Sequence, residues 1–185
     1  MSDFAQVFRW TENLAQRACA LHLGWHAQTV IPNAYFGGGE ADILVINPRR
    51  FVTEIEIKLT LADWAADRRK AKWASAERQQ VRYFAYAVPE ALLTTVPEWV
   101  APTTGLISLT SGYSPSKRAY DVWARWWRKP KPLGKHRVDD QELQRLLRGV
   151  YCRYWQQIWR LPVMSQGMLE DYEPPEAEFD DAQDA

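Results

Sequence analysis

The chain has 185 residues, which is long enough for one sizeable hydrophobic core. Its formal net charge is zero. Its two cysteines, Cys19 and Cys152, exclude a cysteine-rich zinc site and suit a reducing compartment. No apolar run approaches the ~20 residues needed to cross a bilayer, so we expect a soluble cytoplasmic protein without a membrane partner.

Charge is distributed unevenly along the chain. Eight acidic residues and no Lys or Arg lie between Glu170 and Ala185, which leaves 15 acidic against 23 basic residues elsewhere. We expect residues 1–165 to form a single domain with a net charge of about +8, and residues 166–185 to form a disordered acidic tail. A basic body of this kind suits a polyanionic partner.

The N-terminal segment predicts a helix. Asp3 can cap it, apolar residues repeat at helical spacing from Phe4 to Leu21, and Gly24 ends it. Glu12 lies at the border of the apolar stripe, so it leans towards whatever the helix packs on. A solvated residue on the flank of the helix is the alternative interpretation of Glu12.

Three strands are predicted after this helix. The first is Trp25–Ile31, closed by Pro32. Two stretches rich in Ile and Val, 39–46 and 51–58, lie on either side of a turn at residues 47–50. They predict the two arms of an antiparallel hairpin.

The second arm of the hairpin alternates strictly between apolar and polar residues. Glu54, Glu56 and Lys58 therefore share one face of the strand. A three-residue turn at 48–50 places Asp42 of the first arm opposite Glu56, with Cβ atoms ~5 Å apart. Two carboxylates this close repel each other, and a divalent cation with oxygen ligands relieves the repulsion.

A second helix is predicted from Leu61, with Thr60 as its cap and Asp63, Asp67 and Lys70 as a polar stripe. It contains the most basic stretch of the chain. Because the helix directly follows the hairpin, its cations can line a groove that binds phosphates; a solvated helix face is the alternative. The candidate nucleic-acid-binding residues are Arg68, Arg69, Lys70, Lys72, Arg78 and Arg82.

The rest of the chain predicts three more strands and a long helix. The strands are 81–88, 104–110 and 120–128, and Asp139 caps a helix that continues to about Arg160. An apolar stripe on this helix is predicted to be buried: Leu143, Leu146, Leu147, Val150, Tyr151, Tyr154 and Ile158, extended by Trp155 and Trp159.

Tryptophans and cations are interleaved between residues 117 and 135. Such a pattern fits the stacking of bases on aromatic rings and the binding of phosphates by Lys and Arg. An edge strand with its tryptophans in the core and its charges guarding the edge fits equally well.

Asp42 and Glu56-Ile57-Lys58 resemble the site motif of the PD-(D/E)XK nuclease superfamily, in which an Asp ends one strand and Glu-x-Lys lies on the next. Ala41 stands where the family pattern has Pro. The resemblance covers roughly residues 4–110, with 117–160 as an added C-terminal strand and helix. It implies an α/β (α+β) fold with a restriction-endonuclease-like core: helix, three strands, helix and further strands, in a mixed central sheet flanked by helices.

The resemblance also implies divalent-metal-dependent cleavage of phosphodiester bonds. Asp42, Glu56 and the backbone carbonyl of Ile57 would hold Mg²⁺ or Mn²⁺, and Lys58 would orient the attacking water. Glu12 would contact that water from the first helix. The predicted function is a metal-dependent deoxyribonuclease of repair, recombination or phage DNA processing, with DNA as its partner.

Two other classes of protein remain open. One is a catalytically inactive, nuclease-like protein that binds nucleic acid, which a cleavage assay would distinguish. The other is an interaction protein whose acidic face is only a charged sheet surface, and divalent cations would then not raise its melting temperature. A homodimer is also open, because many members of the resembled family act as dimers.

Overall fold

In a computed structural model, one mixed sheet of six strands organises the part of the protein that the structure describes. The structure describes residues 8–37, 39–67, 80–114, 116 and 119–160. Its elements in chain order are α1 Glu12–Leu23, β1 Thr29–Phe36, β2 Gly39–Ile46, β3 Val52–Ile57, α2 Leu61–Asp67, β4 Tyr83–Pro89, a 3-10 helix Glu90–Thr95, β5 Gly105–Ser114, β6 Ala119–Arg128 and α3 Asp140–Arg160.

Each strand lies beside the one that follows it in the chain, so the sheet order is β1 to β6. β1, β2 and β3 are antiparallel neighbours, β3, β4 and β5 are parallel, and β6 is antiparallel to β5. The parallel step from β3 to β4 needs a crossover, and α2 lies in that connection. The protein is therefore α+β, with a mixed sheet and flanking helices.

α1 starts later than the sequence pattern predicts. Thr11 is its cap: its backbone is extended, and its side chain accepts a hydrogen bond from the N–H of Leu14 at 3.3 Å. Residues from Phe8 to Thr11 are therefore outside the helix, and the predicted cap Asp3 lies outside the described residues. The predicted end at Gly24 is confirmed, with φ 71° in the left-handed region.

β1 also differs from its prediction. It starts at Thr29 instead of Trp25 and continues through Pro32 to Phe36. Pro32 is tolerated because β1 is an edge strand, where a missing N–H need not break a ladder. Asn33 follows with φ 49°, a left-handed conformation that Asn adopts more readily than most residues.

Alternate strand residues form separate cores on the two faces of the sheet. On one face, Ala15, Ala18 and Cys19 of α1 pack with strand residues such as Ile43 and Ile55. On the other, Trp64 of α2 packs with Phe84, Tyr86, Val88 and Leu106. α1 and α2 are thus held by opposite faces, and the strand ends between them are where polar side chains of both can meet.

The chain divides into two compact units, Met1–Val150 and Tyr151–Ala185. In the first unit, Leu146 of α3 is buried with Val138 and residues of β1 and β2. In the second, the described residues 151–160 are mostly exposed. None of the helices among the described residues is long and apolar enough to cross a membrane.

The prediction of a buried stripe along all of α3 is therefore wrong. Leu146 is buried, but Leu147, Tyr151 and Tyr154 are each at least 45% exposed. Within the second unit, Trp155 contacts Tyr151 and Tyr154 of the same helix. The predicted acidic tail lies outside the described residues, and the single domain of residues 1–165 stays a prediction.

Gly105→Ala should destabilise the fold by about 1–3 kcal/mol, because an added Cβ would lie 2.9 Å from both Ala85 Cβ and Pro130 Cδ. Gly112→Ala is the matched control in the same strand, since among the described residues its Cβ would meet only the ring of Trp123, at 3.0 and 3.1 Å. Thermal unfolding should show the larger loss for Gly105→Ala. Equal losses would contradict this account of the β4–β5 packing.

Candidate active site

The β2–β3 hairpin has the register that its sequence predicts. The N–H of Asn47 donates to the carbonyl of Phe51 at 3.1 Å, and the N–H of Arg50 donates to the carbonyl of Asn47 at 2.8 Å. Ile43 is consequently paired with Ile55. One further step of this register places the next two residues, both acidic, side by side at the end of the hairpin.

Those two residues are Asp42 and Glu56. The Asp42 carboxylate is half-buried and accepts a hydrogen bond from the N–H of Ile57 at 2.6 Å. Burial and then the charge of Glu56 raise the pKa of Asp42 to about 6, with a further contribution from Glu12; the Ile57 N–H and the charge of Lys58 oppose the rise. The other three predicted site residues, Glu56, Lys58 and Glu12, thus lie within electrostatic reach of Asp42.

Lys58 is held between two buried carboxylates. Its Nζ lies 3.0 Å from Glu56 Oε2 and 3.1 Å from Asp67 Oδ1. Glu56, Lys58 and Asp67 are 1%, 4% and 0% exposed. Burial by itself lowers the pKa of Lys58, but Glu56 and Asp67 together outweigh it and raise that pKa above its ordinary value. Lys58 therefore carries a full positive charge at neutral pH.

Asp67 and Tyr86 belong to this network, although the sequence pattern did not identify them. The hydroxyl of Tyr86 donates to Asp67 Oδ2 at 2.7 Å, and Tyr86 is paired with Glu56 across the β3–β4 ladder. Asp67 was predicted to lie in a polar helix stripe. Its position three residues after the buried Trp64 is the one sequence signal that places it on the inner face of α2.

Gln16 connects the first helix to the site. Its amide nitrogen lies 3.1 Å from Glu12 Oε1, 2.6 Å from Asn33 Oδ1 and 3.1 Å from the backbone carbonyl of Asp42. α1, β1 and β2 are thereby joined at one side chain. Glu12, the first residue of α1, is exposed and faces Asp42 closely enough to affect its pKa.

Most of the predicted nucleic-acid-binding residues lie outside the described residues: Arg68, Arg69, Lys70, Lys72 and Arg78. Arg82 is half-buried; it donates to the Gly134 carbonyl at 3.0 Å, and its guanidinium lies 4.2 Å from the ring centroid of Phe51. These contacts hold the segment after β6 against the hairpin. A phosphate-binding role for Arg82 stays a prediction.

The donor set at the hairpin end fits a hard divalent cation. Among the described residues there is no cluster of three or more His, Cys, Asp and Glu side chains able to hold a metal. Two carboxylates and a backbone carbonyl are nevertheless what Mg²⁺ commonly takes, because it keeps several of its waters. Burial and the charge of Glu56 both raise the pKa of Asp42, and a bound cation would favour its charged form.

A protein of unknown function from Silicibacter pomeroyi has a similar fold. The two are 18% identical, the TM-score is 0.53, and the match covers 88% of this chain and 94% of that chain. At this identity the likeness shows the fold alone. No protein-family model matches the chain. No curated protein matches it.

Tyr86→Phe should destabilise the protein by about 1–3 kcal/mol, since it removes the hydrogen bond that a buried, charged Asp67 receives. The matched control is Tyr83→Phe, whose hydroxyl accepts a hydrogen bond from Arg82 Nε at 3.2 Å in a half-buried position. Denaturant unfolding should give the larger loss for Tyr86→Phe. A larger loss for Tyr83→Phe would argue against the network.

Asp42→Asn should stabilise the metal-free protein at neutral pH. Because the pKa of Asp42 is raised from 3.8 to about 6, its contribution to stability is fully present below pH 3.8 and is lost as the pH rises through about 6. The melting temperature of the variant minus that of the wild type should be smallest near pH 4 and level off above pH 6. A difference that is independent of pH would contradict the raised pKa.

Proposed function

We propose that this protein is a divalent-metal-dependent nuclease that hydrolyses phosphodiester bonds of DNA. The proposal depends on the position of the Asp42 carboxylate. It accepts a hydrogen bond from the N–H of Ile57 and interacts electrostatically with Glu56 and Lys58. The proposed family pattern needs an Asp, a Glu and a Lys at the end of one hairpin, and these side chains meet there.

The element order supports a restriction-endonuclease-like core as part of this proposal. α1 is followed by β1, β2 and β3, then by α2 and β4, which is the helix, three strands, helix and strand that the resemblance implies. The candidate site lies at the second and third of those strands. Ala41 in place of the family's Pro leaves the site chemistry unchanged, because neither side chain offers a ligand.

Asp42, Glu56 and the carbonyl of Ile57 are the proposed ligands of Mg²⁺ or Mn²⁺. When bound, such an ion would neutralise charge at the scissile phosphate and would lower the pKa of a water. Lys58 supplies a fixed positive charge beside Glu56 that stabilises the phosphate as negative charge accumulates. Glu12 lies near Asp42, where its carboxylate can hydrogen-bond the attacking water.

Asp67 and Tyr86 act as positioning residues in this proposal. They do not belong to the proposed ligand set; they hold the ammonium group of Lys58 against Glu56. A lysine side chain has several rotatable bonds, and fixing it in advance lowers the entropy lost when the transition state forms. The buried network therefore fixes the ammonium group of Lys58 in position before substrate binds.

The cleavage test uses linear, circular, branched and single-stranded DNA, each with Mg²⁺, with Mn²⁺ or with EDTA. Cleavage should require the cation and fall as the pH drops below about 6, because protonated Asp42 cannot bind it. Products from circular DNA would identify an endonuclease. Binding without cleavage under all these conditions would instead support the catalytically inactive alternative, a protein that only binds nucleic acid.

Glu56→Gln and Lys58→Ala should each lower the cleavage rate by about a hundredfold or more. Glu40→Gln is the matched control, because Glu40 is an exposed carboxylate two residues before Asp42 on the same strand. Melting temperatures must be measured in parallel, since Glu56 and Lys58 are buried. Retained activity in a folded Glu56→Gln variant would refute the assignment.

A further inference from the structure

A cleft of about 700 Å³ lies beyond the carboxyl end of β4. β5 extends past that end, so Thr110 and Ser111 form part of the wall. Leu59 and Thr60, the two residues after Lys58, form another part. Open sheets with parallel strands bind ligands outside the carboxyl ends of those strands. The cleft thus begins beside the candidate active site.

The lining of the cleft suits nucleotides. Phe8 and Trp10 contribute rings whose centroids are 5.1 Å apart, edge to face, and Arg9 lies between them in the chain. The two carboxylates of the wall already have partners. Asp63 is in a reciprocal capping box with Thr60, at 2.9 and 3.1 Å, and Glu90 is ion-paired with Arg125. Aromatic faces and a cation are what a base and a phosphate need.

β6, the last strand of the sheet, carries exposed tryptophans. Trp126 packs against the core that contains α1, whereas Trp123 and Trp127 are 51% and 55% exposed, and Arg125 lies between them in the chain. The interpretation that places all tryptophans in the core is therefore wrong for these two. Large indole rings left in water point to a binding surface.

The cleft leads directly to this stripe, formed by Trp123, Arg125 and Trp127. Thr110 of the cleft wall is the register partner of Trp123, and Glu90 of the wall is ion-paired with Arg125 at 2.6 Å. The four residue steps from Trp123 to Trp127 span ~13 Å in an extended strand. That length matches about two nucleotides of an unstacked strand, which advances roughly twice the 3.4 Å of a stacked one.

We propose that the cleft and this stripe form one binding track for single-stranded nucleic acid, leading to the candidate active site. The inference deepens the proposed function and rests on it: the substrate would be an unpaired strand, such as a single-stranded end or flap. Bases would stack on Trp123 and Trp127, and phosphates would pass Arg125 and Arg9.

Charge and exposure favour an unpaired strand over a duplex. Tryptophan faces can stack only on bases that are not paired and stacked in a helix. The Arg125–Glu90 ion pair has side chains that are 67% and 54% exposed, so it is weak and leaves the Arg125 guanidinium accessible to a phosphate. Lys129, exposed just after β6, extends the positive charge along the track.

The test is fluorescence anisotropy of a labelled 12-nucleotide oligo(dT) in EDTA, with wild type, Trp123→Ala and Trp127→Ala. Each variant should lose roughly tenfold or more in affinity, because base stacking on an aromatic ring is worth that much. Trp123→Phe should retain most of the affinity. Trp25→Ala is the matched control, since Trp25 is 54% exposed and lines a different cavity. Melting temperatures should stay within a few degrees.

The track would be overturned if oligo(dT) bound the two alanine variants as well as wild type, or if Trp25→Ala lost as much affinity. A duplex that competed as well as the single strand would also overturn it. So would a wild-type dimer that both alanine variants dissociate, because the stripe would then bind a second copy. Binding in EDTA is measured without cleavage. A protein that binds oligo(dT) through these tryptophans but does not cleave DNA would therefore refute only the nuclease proposal and not the binding track.

Discussion

The buried ammonium of Lys58, held between Glu56 and Asp67, is the constraint on which the candidate site depends. Three charged side chains, each at most 4% exposed, are tolerable only because they pair with one another and Tyr86 donates to Asp67. Removing one partner would leave a charge without compensation in a low-dielectric interior. The network thereby holds the end of α2 against the end of β3 and the middle of β4.

The Asp42 carboxylate shows the opposite balance. Lys58 has two neighbours of opposite charge. Asp42 is half-buried and has two carboxylates nearby, Glu56 and Glu12, and its pKa is raised. One end of the hairpin therefore combines a satisfied cation with an electrostatically strained anion. Such an arrangement suits a site that holds its lysine in place and is stabilised when a divalent cation binds near Asp42.

Local patterns predicted the parts of the site that depend on neighbours in sequence. The hairpin register followed from a three-residue turn and strict alternation, and the structure has that register because Asn47 and Phe51 close the turn. The cap of α1 was misplaced because apolar spacing continues before Thr11 although the backbone there is extended. The hydrogen bond between Tyr86 and Asp67 depends on how α2 packs on β4, which no spacing within either element specifies.

The two edges of the sheet are unequal in a way that affects self-association. In β1, Pro32 has no N–H to offer and Asn33 has a left-handed φ of 49°, so the row of donors along this edge is interrupted. Strand addition from another chain, the first step of amyloid-like polymerisation, is disfavoured there. β6 contains no proline over its ten residues, which leaves it as the edge more open to such addition.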